Sequence, residues 1–158
     1  LTWSLRRLTR FSPKSTATRK NLNSGEIEHY GAEAEATCRI DRNWSLHTNH
    51  SLLRMCHRDV ATAPKYRGYL EAVFTSSRWT ATAGLQYLSG VGLDSDSDGF
   101  ADLQQKDICL LTASATYTPA VNINLWIRGE NLLAQSYQLN YGYPMPHATV
   151  MSGIDIKF

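Results

Sequence analysis

Apolar and polar side chains alternate with a period of two over most of this chain, and no other feature constrains its fold more tightly. A period of two builds strands with one apolar and one polar face. In 121–130, Val121, Ile123, Leu125 and Ile127 oppose Asn122, Asn124, Trp126, Arg128 and Glu130. In 107–117, Cys109, Leu111, Ala113, Ala115 and Tyr117 oppose Thr112, Ser114 and Thr116. Trp79, Ala81, Ala83, Leu85 and Tyr87 oppose Thr80, Thr82 and Gln86. Tyr30, Ala32, Ala34, Ala36, Cys38 and Ile40 oppose Glu33, Glu35, Thr37 and Arg39. The final segment alternates too, with Ile154, Ile156 and Phe158 against Gly153, Asp155 and Lys157.

Turn signals predict strands at 1–10, 26–40, 44–55, 66–76, 79–90, 107–117, 121–130 and 147–158. The joints alternate in length. Segments 41–43, 77–78 and 118–120 are short, whereas 11–25, 56–65, 91–106 and 131–146 are long. Up-and-down antiparallel hairpins with short turns at one end and long loops at the other form transmembrane barrels. Strands of this length suit a tilted crossing of the hydrocarbon. The fold class expected is therefore all-β, an antiparallel up-and-down transmembrane barrel. A Greek-key sandwich has no need of the short–long rhythm.

The composition is compatible with this. Hydrophobic residues make up 42% of the 158 and mean hydropathy is −0.34. No stretch reaches the roughly 20 apolar residues of a membrane-spanning helix, but alternating strands keep average hydropathy near that of soluble protein. The net charge is only +2, and the one local basic excess is Arg6, Arg7, Arg10, Lys14, Arg19 and Lys20. A nucleic-acid partner would need a basic face with stacking aromatics, so none is expected. Cys38, Cys56 and Cys109 are odd in number and lack metal-ligand spacing. Cys38 and Cys109 fall on apolar faces as small hydrophobes, and Cys56 reads as a free thiol in a loop, ahead of a pairing with a cysteine outside these residues. Leu1 to Leu8 already alternates, without a leading Met. The chain therefore reads as the C-terminal piece of a longer protein.

Aromatic residues cluster at strand ends. Trp44, Trp79, Tyr117 and Phe158 lie toward the short turns, and Tyr30, Tyr66 and Tyr87 toward the long loops. Two such rows match interfacial girdles, where amphipathic rings sit at headgroup depth.

A family resemblance rests on the end of the chain. Ile127-Arg128-Gly129-Glu130-Asn131-Leu132-Leu133, then Tyr137, then Tyr141-Gly142-Tyr143-Pro144-Met145-Pro146, then the Gly153–Phe158 strand, resemble the C-terminus of TonB-dependent outer-membrane receptors. Upstream, Gly31 to Ala36, Asp41 to Leu46, Ala63-Pro64-Lys65-Tyr66 and Leu85-Gln86-Tyr87 resemble further segments of that family, and His147 stands where a Gly is usual. The resemblance implies that residues 1–158 are the last eight strands of a 22-stranded barrel. The plug domain that fills such a barrel is absent from these residues. It implies import of a scarce solute (an iron–siderophore, haem, cobalamin or a glycan) across the bacterial outer membrane, powered by the TonB complex. It further implies that the barrel-assembly machinery recognises the last strand through Gly153, Ile156 and Phe158. Enzyme activity is not expected, since no nucleophile constellation or carboxylate pair stands out.

Specificity in such a receptor belongs to long loops and the polar-face residues near them. The candidate substrate contacts are Trp126, Arg128, Tyr137, Tyr141, Tyr143 and Met145. Tyrosine offers flat apolar surface and a hydroxyl, which suits chelates and sugars. A second motif is Asp94-Ser95-Asp96-Ser97-Asp98-Gly99-Phe100-Ala101-Asp102. Acidic residues at positions 1, 3, 5 and 9 with Gly at 6 match the front of a calcium loop, although Gln105 replaces the final Glu. Asp94, Asp96, Asp98, Phe100 and Asp102 are thus candidate Ca2+ ligands; no cofactor is otherwise required. His47 and His50 fall on opposite faces and cannot share a site.

Two other architectures fit the strand count, a complete eight-stranded outer-membrane barrel of structural or adhesin type and a soluble β-sandwich or ligand-binding barrel. The apolar face separates them. It points outward in a membrane protein, where Arg at a mid-bilayer position such as Leu125 is expected to cost about 2–4 kcal/mol, and inward in a soluble one.

Overall fold

The computed structural model describes residues 2–9, 28–56, 59–97 and 99–157. Among the described residues twelve strands are formed. They are β1 (Thr2–Thr9), β2 (Glu28–Arg39), β3 (Trp44–Met55), β4 (Tyr66–Thr75), β5 (Trp79–Ser89), β6 (Gly92–Leu93), β7 (Leu103–Gln104), β8 (Ile108–Ala120), β9 (Ile123–Glu130), β10 (Gln138–Asn140), β11 (Tyr143–Pro144) and β12 (Thr149–Ile156). Eight of them make one antiparallel sheet in the order β1-β2-β3-β4-β5-β8-β9-β12. β6 pairs with β7 and β10 with β11 as small hairpins inside the long loops. Segment 11–25 lies outside the described residues.

The register carries the alternation across the whole sheet. Trp44 stands opposite Phe74, Phe74 opposite Ala81 and Ala81 opposite Ala115. Ala115 stands opposite Ile127, which stands opposite Ser152. Directly opposed residues share a face, so the apolar sets of β2 to β12 merge into one continuous surface. Leu52, Leu70, Leu85, Ile127, Val150, Ile154 and Ile156 are all exposed on it. No second layer covers that surface among the described residues. The opposite face carries Glu33, His47, Glu71, Thr82, Ser114, Asn124 and Arg128. Its side chains satisfy one another laterally, as in the 2.7 Å Thr82–Ser114 hydroxyl pair and the 3.0 Å Thr37–His47 bond.

The sheet is open. β1 and β12 lie at its two edges and do not pair with each other, as they would in a closed eight-stranded barrel.

The short turns are built from local hydrogen bonds. Asp41 Oδ1 accepts the N–H groups of Asn43 and Trp44 at 2.7 Å each, and Asn43 Nδ2 donates to the Thr75 carbonyl of the neighbouring turn at 2.8 Å. The third turn departs from expectation. β8 runs on through Ala120, with its register shifting between Tyr117 and Ala120. Pro119 has no N–H to give a ladder, so a bulge is where it can sit. The turn therefore moves to 121–122, and Val121, expected on the apolar face of a strand, is fully exposed in that turn.

The two aromatic rows are real contacts. At the short-turn end Trp44 lies 5.0 Å from Phe74 and Trp79 lies 4.6 Å from Tyr117, centroid to centroid. At the long-loop end Tyr66 lies 6.0 Å from both Tyr87 and His50. Phe158 lies outside the described residues. Tyr66 and Phe74 are eight residues apart on β4, about 26 Å along a strand and about 20 Å once tilted by 40°. Leu70 lies midway between them. Leu125 stands opposite Tyr117, level with the short-turn row. The midplane position is thus Leu70, and Leu125 belongs to the rim of the apolar band.

Gly153 on β12 shows why a glycine interrupts the final strand. It stands opposite Trp126 on the polar face, and a Cβ there would come within 2.5 Å of Trp126 Cζ2. The indole lies over the space the glycine leaves. Gly153→Val is expected to swing the ring away and cost on the order of 1 kcal/mol. Trp126 fluorescence in the full-length protein, read against variants lacking other tryptophans, should then shift; an unchanged spectrum would show that the ring does not use that space.

Candidate ligand site at the long-loop end

The described parts of loops 56–65, 91–106 and 131–146 fold onto one end of the polar face. Segments 56–65 and 91–106 are laced together by backbone hydrogen bonds. Val60 bridges Phe100, Thr62 N donates to Gly92 O at 2.8 Å and Ala101 N to Asp59 O at 2.9 Å. Val91, Leu93 and Phe100 are buried beneath this lacing. The Lys65–Asp59 ion pair at 2.6 Å is half exposed and adds about 0–1 kcal/mol.

Loop 131–146 is held differently. Asn131 is 6% exposed and takes φ +47°, a left-handed conformation that Asn tolerates better than most residues. Its Nδ2 donates to the carbonyls of Gln135 (2.9 Å) and Pro146 (3.0 Å), and its Oδ1 accepts the Gln135 N–H at 3.0 Å. Gln135 in turn donates from Nε2 to Asp107 O at 2.9 Å and accepts the Cys109 N–H. The loop is thereby pinned to β8 and to the run-in of β12.

Between these loops lies a concavity of about 350 Å³. Its floor is Arg67, Gln86, Leu88 and Leu110 from β4, β5 and β8, and its walls include Thr62, Pro64, Val91, Tyr137 and Leu139. Leu88, Val91 and Ile108 form a buried cluster against which Leu110, Tyr137 and Leu139 pack. The site offers apolar surface, one guanidinium, the amides of Gln86 and Asn140, and hydroxyls. It suits a compact ligand with an apolar body and anionic or hydrogen-bonding groups.

The expected contacts fall unevenly around it. Tyr137 lines the concavity; burial, with the Glu130 charge second, pushes its phenol pKa up, so it stays a hydrogen-bond donor at neutral pH. Trp126 and Arg128 share the polar face but lie outside the lining, and Arg128 pairs with Glu130 at 3.2 Å. Tyr141 and Tyr143 flank the tip of the β10–β11 hairpin and are exposed. Met145 joins the loop through its N–H to Tyr137 O at 2.9 Å. Arg67 and Gln86 were missed. The same period of two, applied to 66–76 and 79–90, puts both on the polar face.

In the acidic tract, Asp94 accepts the N–H groups of Ser97 (2.6 Å) and Gly99 (2.7 Å). Asp102 accepts the Ser95 N–H at 2.9 Å and the Ser95 hydroxyl. Asp98 lies outside the described residues. Among the described residues no three His, Cys, Asp or Glu side chains converge on a metal position. A cation at Asp94 and Asp102 would compete with these loop bonds.

The Ser95 hydroxyl and N–H hold the Asp102 carboxyl below its ordinary value of 3.8. A lowered pKa in the folded loop means the ionised form is favoured by folding. The contribution is therefore present above pH about 3.8 and is lost as pH falls through the lower folded value. Amide exchange across 94–102 should rise as pH falls below about 3.8 beyond its intrinsic pH dependence, and Asp102→Asn should abolish that step. An identical profile in the variant would remove Asp102 from the account.

With this geometry in place, solved structures supply the comparison. Copper transporter OprC superposes with TM-score 0.74 at 16% identity over 94% of this chain and 26% of its own. The siderophore receptor PiuA from Acinetobacter baumannii gives 0.75 at 15% identity over 99% of this chain and 26% of its own. Over the part it covers, the chain shares the antiparallel up-and-down β fold of these two proteins, its own sheet being open at both edges. The ferric yersiniabactin uptake receptor FyuA from Yersinia pestis gives 0.66 at 18% identity, over 92% of this chain and 26% of its own. The chain thus spans about a quarter of the length of these receptors. No protein-family model matches its sequence, and no curated protein does.

Proposed function

We propose that these residues are the C-terminal strands of a receptor that takes up a scarce solute through the bacterial outer membrane. The observation that carries this reading is the continuous apolar face between two aromatic rows, backed by a polar face with a loop-walled concavity at one end. Lipid contacts the first and cargo enters over the second. The open edges at β1 and β12 support further strands in the same barrel, because an unpaired ladder in hydrocarbon costs several kcal/mol per polar group. Ile156 lies on the apolar face at the end of β12, where the barrel-assembly machinery would grip the strand. The reading assigns transport rather than catalysis, with the TonB complex as energy source through a plug domain elsewhere in the full-length protein.

The cargo is one of the four solute classes named above: an iron–siderophore, haem, cobalamin or a glycan. Arg67, Gln86 and Tyr137 would contact it. Deleting the full-length gene and supplying each class as sole source should abolish growth on one of them, and deleting TonB should abolish the same growth. Arg67→Ala and Tyr137→Ala should each weaken cargo binding by at least about 1 kcal/mol while the protein remains in the outer-membrane fraction. A soluble fraction, or uptake indifferent to TonB, would overturn the proposal.

A further inference from the structure

We propose that His29 and Met55 form a binding site for a soft monovalent metal ion, of the Cu(I) or Ag(I) kind, on the polar face at the long-loop end. The two residues are direct register partners across the β2–β3 pair. Opposed side chains in an antiparallel pair share a face, with Cβ atoms about 4.5–5.5 Å apart. Glu33 and Ser51, opposed on the same strands and in step with them, mark that face as the polar one.

The imidazole shows the need for a ligand. His29 Nδ1 is shielded from solvent and has no hydrogen-bond partner among the described residues. A shielded ring nitrogen without a partner carries a desolvation cost, which a metal bond removes. The thioether across from it is already oriented, because Val60 N donates to Met55 Sδ at 3.2 Å. That leaves a sulfur lone pair for a second partner.

The donor set selects the ion. Neutral imidazole and thioether are poor ligands for calcium or magnesium, and soft sulfur donors favour Cu(I). With no three His, Cys, Asp or Glu side chains converging among the described residues, neither an oxygen cage nor a tetrahedral zinc site is built there. The site depends on the β2–β3 pair alone, so it stands or falls apart from the transport reading.

Site-resolved footprinting of the full-length protein in detergent tests this without interference from other thiols. Ag+ should slow His29 carbethoxylation and Met55 oxidation together, with one common midpoint, while His47 and Met151 on the same face keep their rates. Zn2+ at the same concentration should protect neither. In His29→Ala, protection of Met55 should be lost, and in Met55→Leu that of His29. Heat-modifiable gel mobility identifies variants that fold; where one does not, the common midpoint in the unmodified protein decides. Absence of protection, separate midpoints, protection surviving in a folded single variant, or equal protection by Zn2+ would each overturn the site.

Discussion

Leu70→Arg is expected to destabilise the barrel by about 2–4 kcal/mol, whereas Leu125→Arg should cost only about 0–1 kcal/mol. Both side chains lie on the apolar face and are similarly exposed, at 48% and 39%. Depth separates them. Leu70 lies four residues from both Tyr66 and Phe74, at the centre of the band between the aromatic rows. Leu125 stands opposite Tyr117, where an Arg side chain can reach headgroups and water. Urea titration of the full-length protein refolded into lipid vesicles measures the difference. Equal costs at the two positions would contradict a bilayer lying between the two rows, and no cost at either would place the apolar face out of lipid altogether.

Asn131→Ala is expected to release loop 131–146 with a local cost of about 3 kcal/mol. The substitution removes three hydrogen bonds at a buried position. Leaving buried groups unpaired costs about 1–3 kcal/mol, and a Cβ-bearing residue without a compensating side chain pays about 1–2 kcal/mol at positive φ. Asn131→Gly separates the two, since it relieves the backbone and still loses the bonds. Hydrogen exchange in the full-length protein should rise over 131–146 by a factor matching these energies, with β4 and β5 unchanged. Exchange confined to its original rate in Asn131→Ala would mean the loop is held by its apolar contacts at Tyr137 and Leu139 alone.

The sheet was legible in the sequence because its information is local. Every strand of the main sheet falls within a few residues of where alternation and turn signals put it. The miss at 118–121 has a physical cause. Thr118-Pro119-Ala120 reads as a turn by composition, yet a bulge accommodates the proline and carries β8 three residues further. Phe74 joined the short-turn row unannounced, since its neighbour Trp44 is thirty residues away and only register brings them together. The ligand concavity was half legible. Tyr137 stood out by residue type, but Arg67 and Gln86 acquire meaning only once loops from elsewhere in the chain close over them. The lacing of the loops left no trace at all, being made of backbone N–H and C=O groups that every residue carries. The His29–Met55 pair was hidden for a similar reason, as its members belong to different strands.

The lacing has a consequence for anyone who would re-engineer this rim. Segments 56–65 and 91–106 share one ladder through Val60, Thr62, Gly92 and Phe100, so grafting one from a donor protein without the other cuts the ladder and exposes Val91 and Phe100. They form a two-piece cassette, exchangeable only as a matched set. Segment 131–146 has its own fastening at Asn131 and Gln135. It is a one-piece cassette, and its tip at Tyr141–Tyr143 can be rewritten freely as long as those two anchors stay.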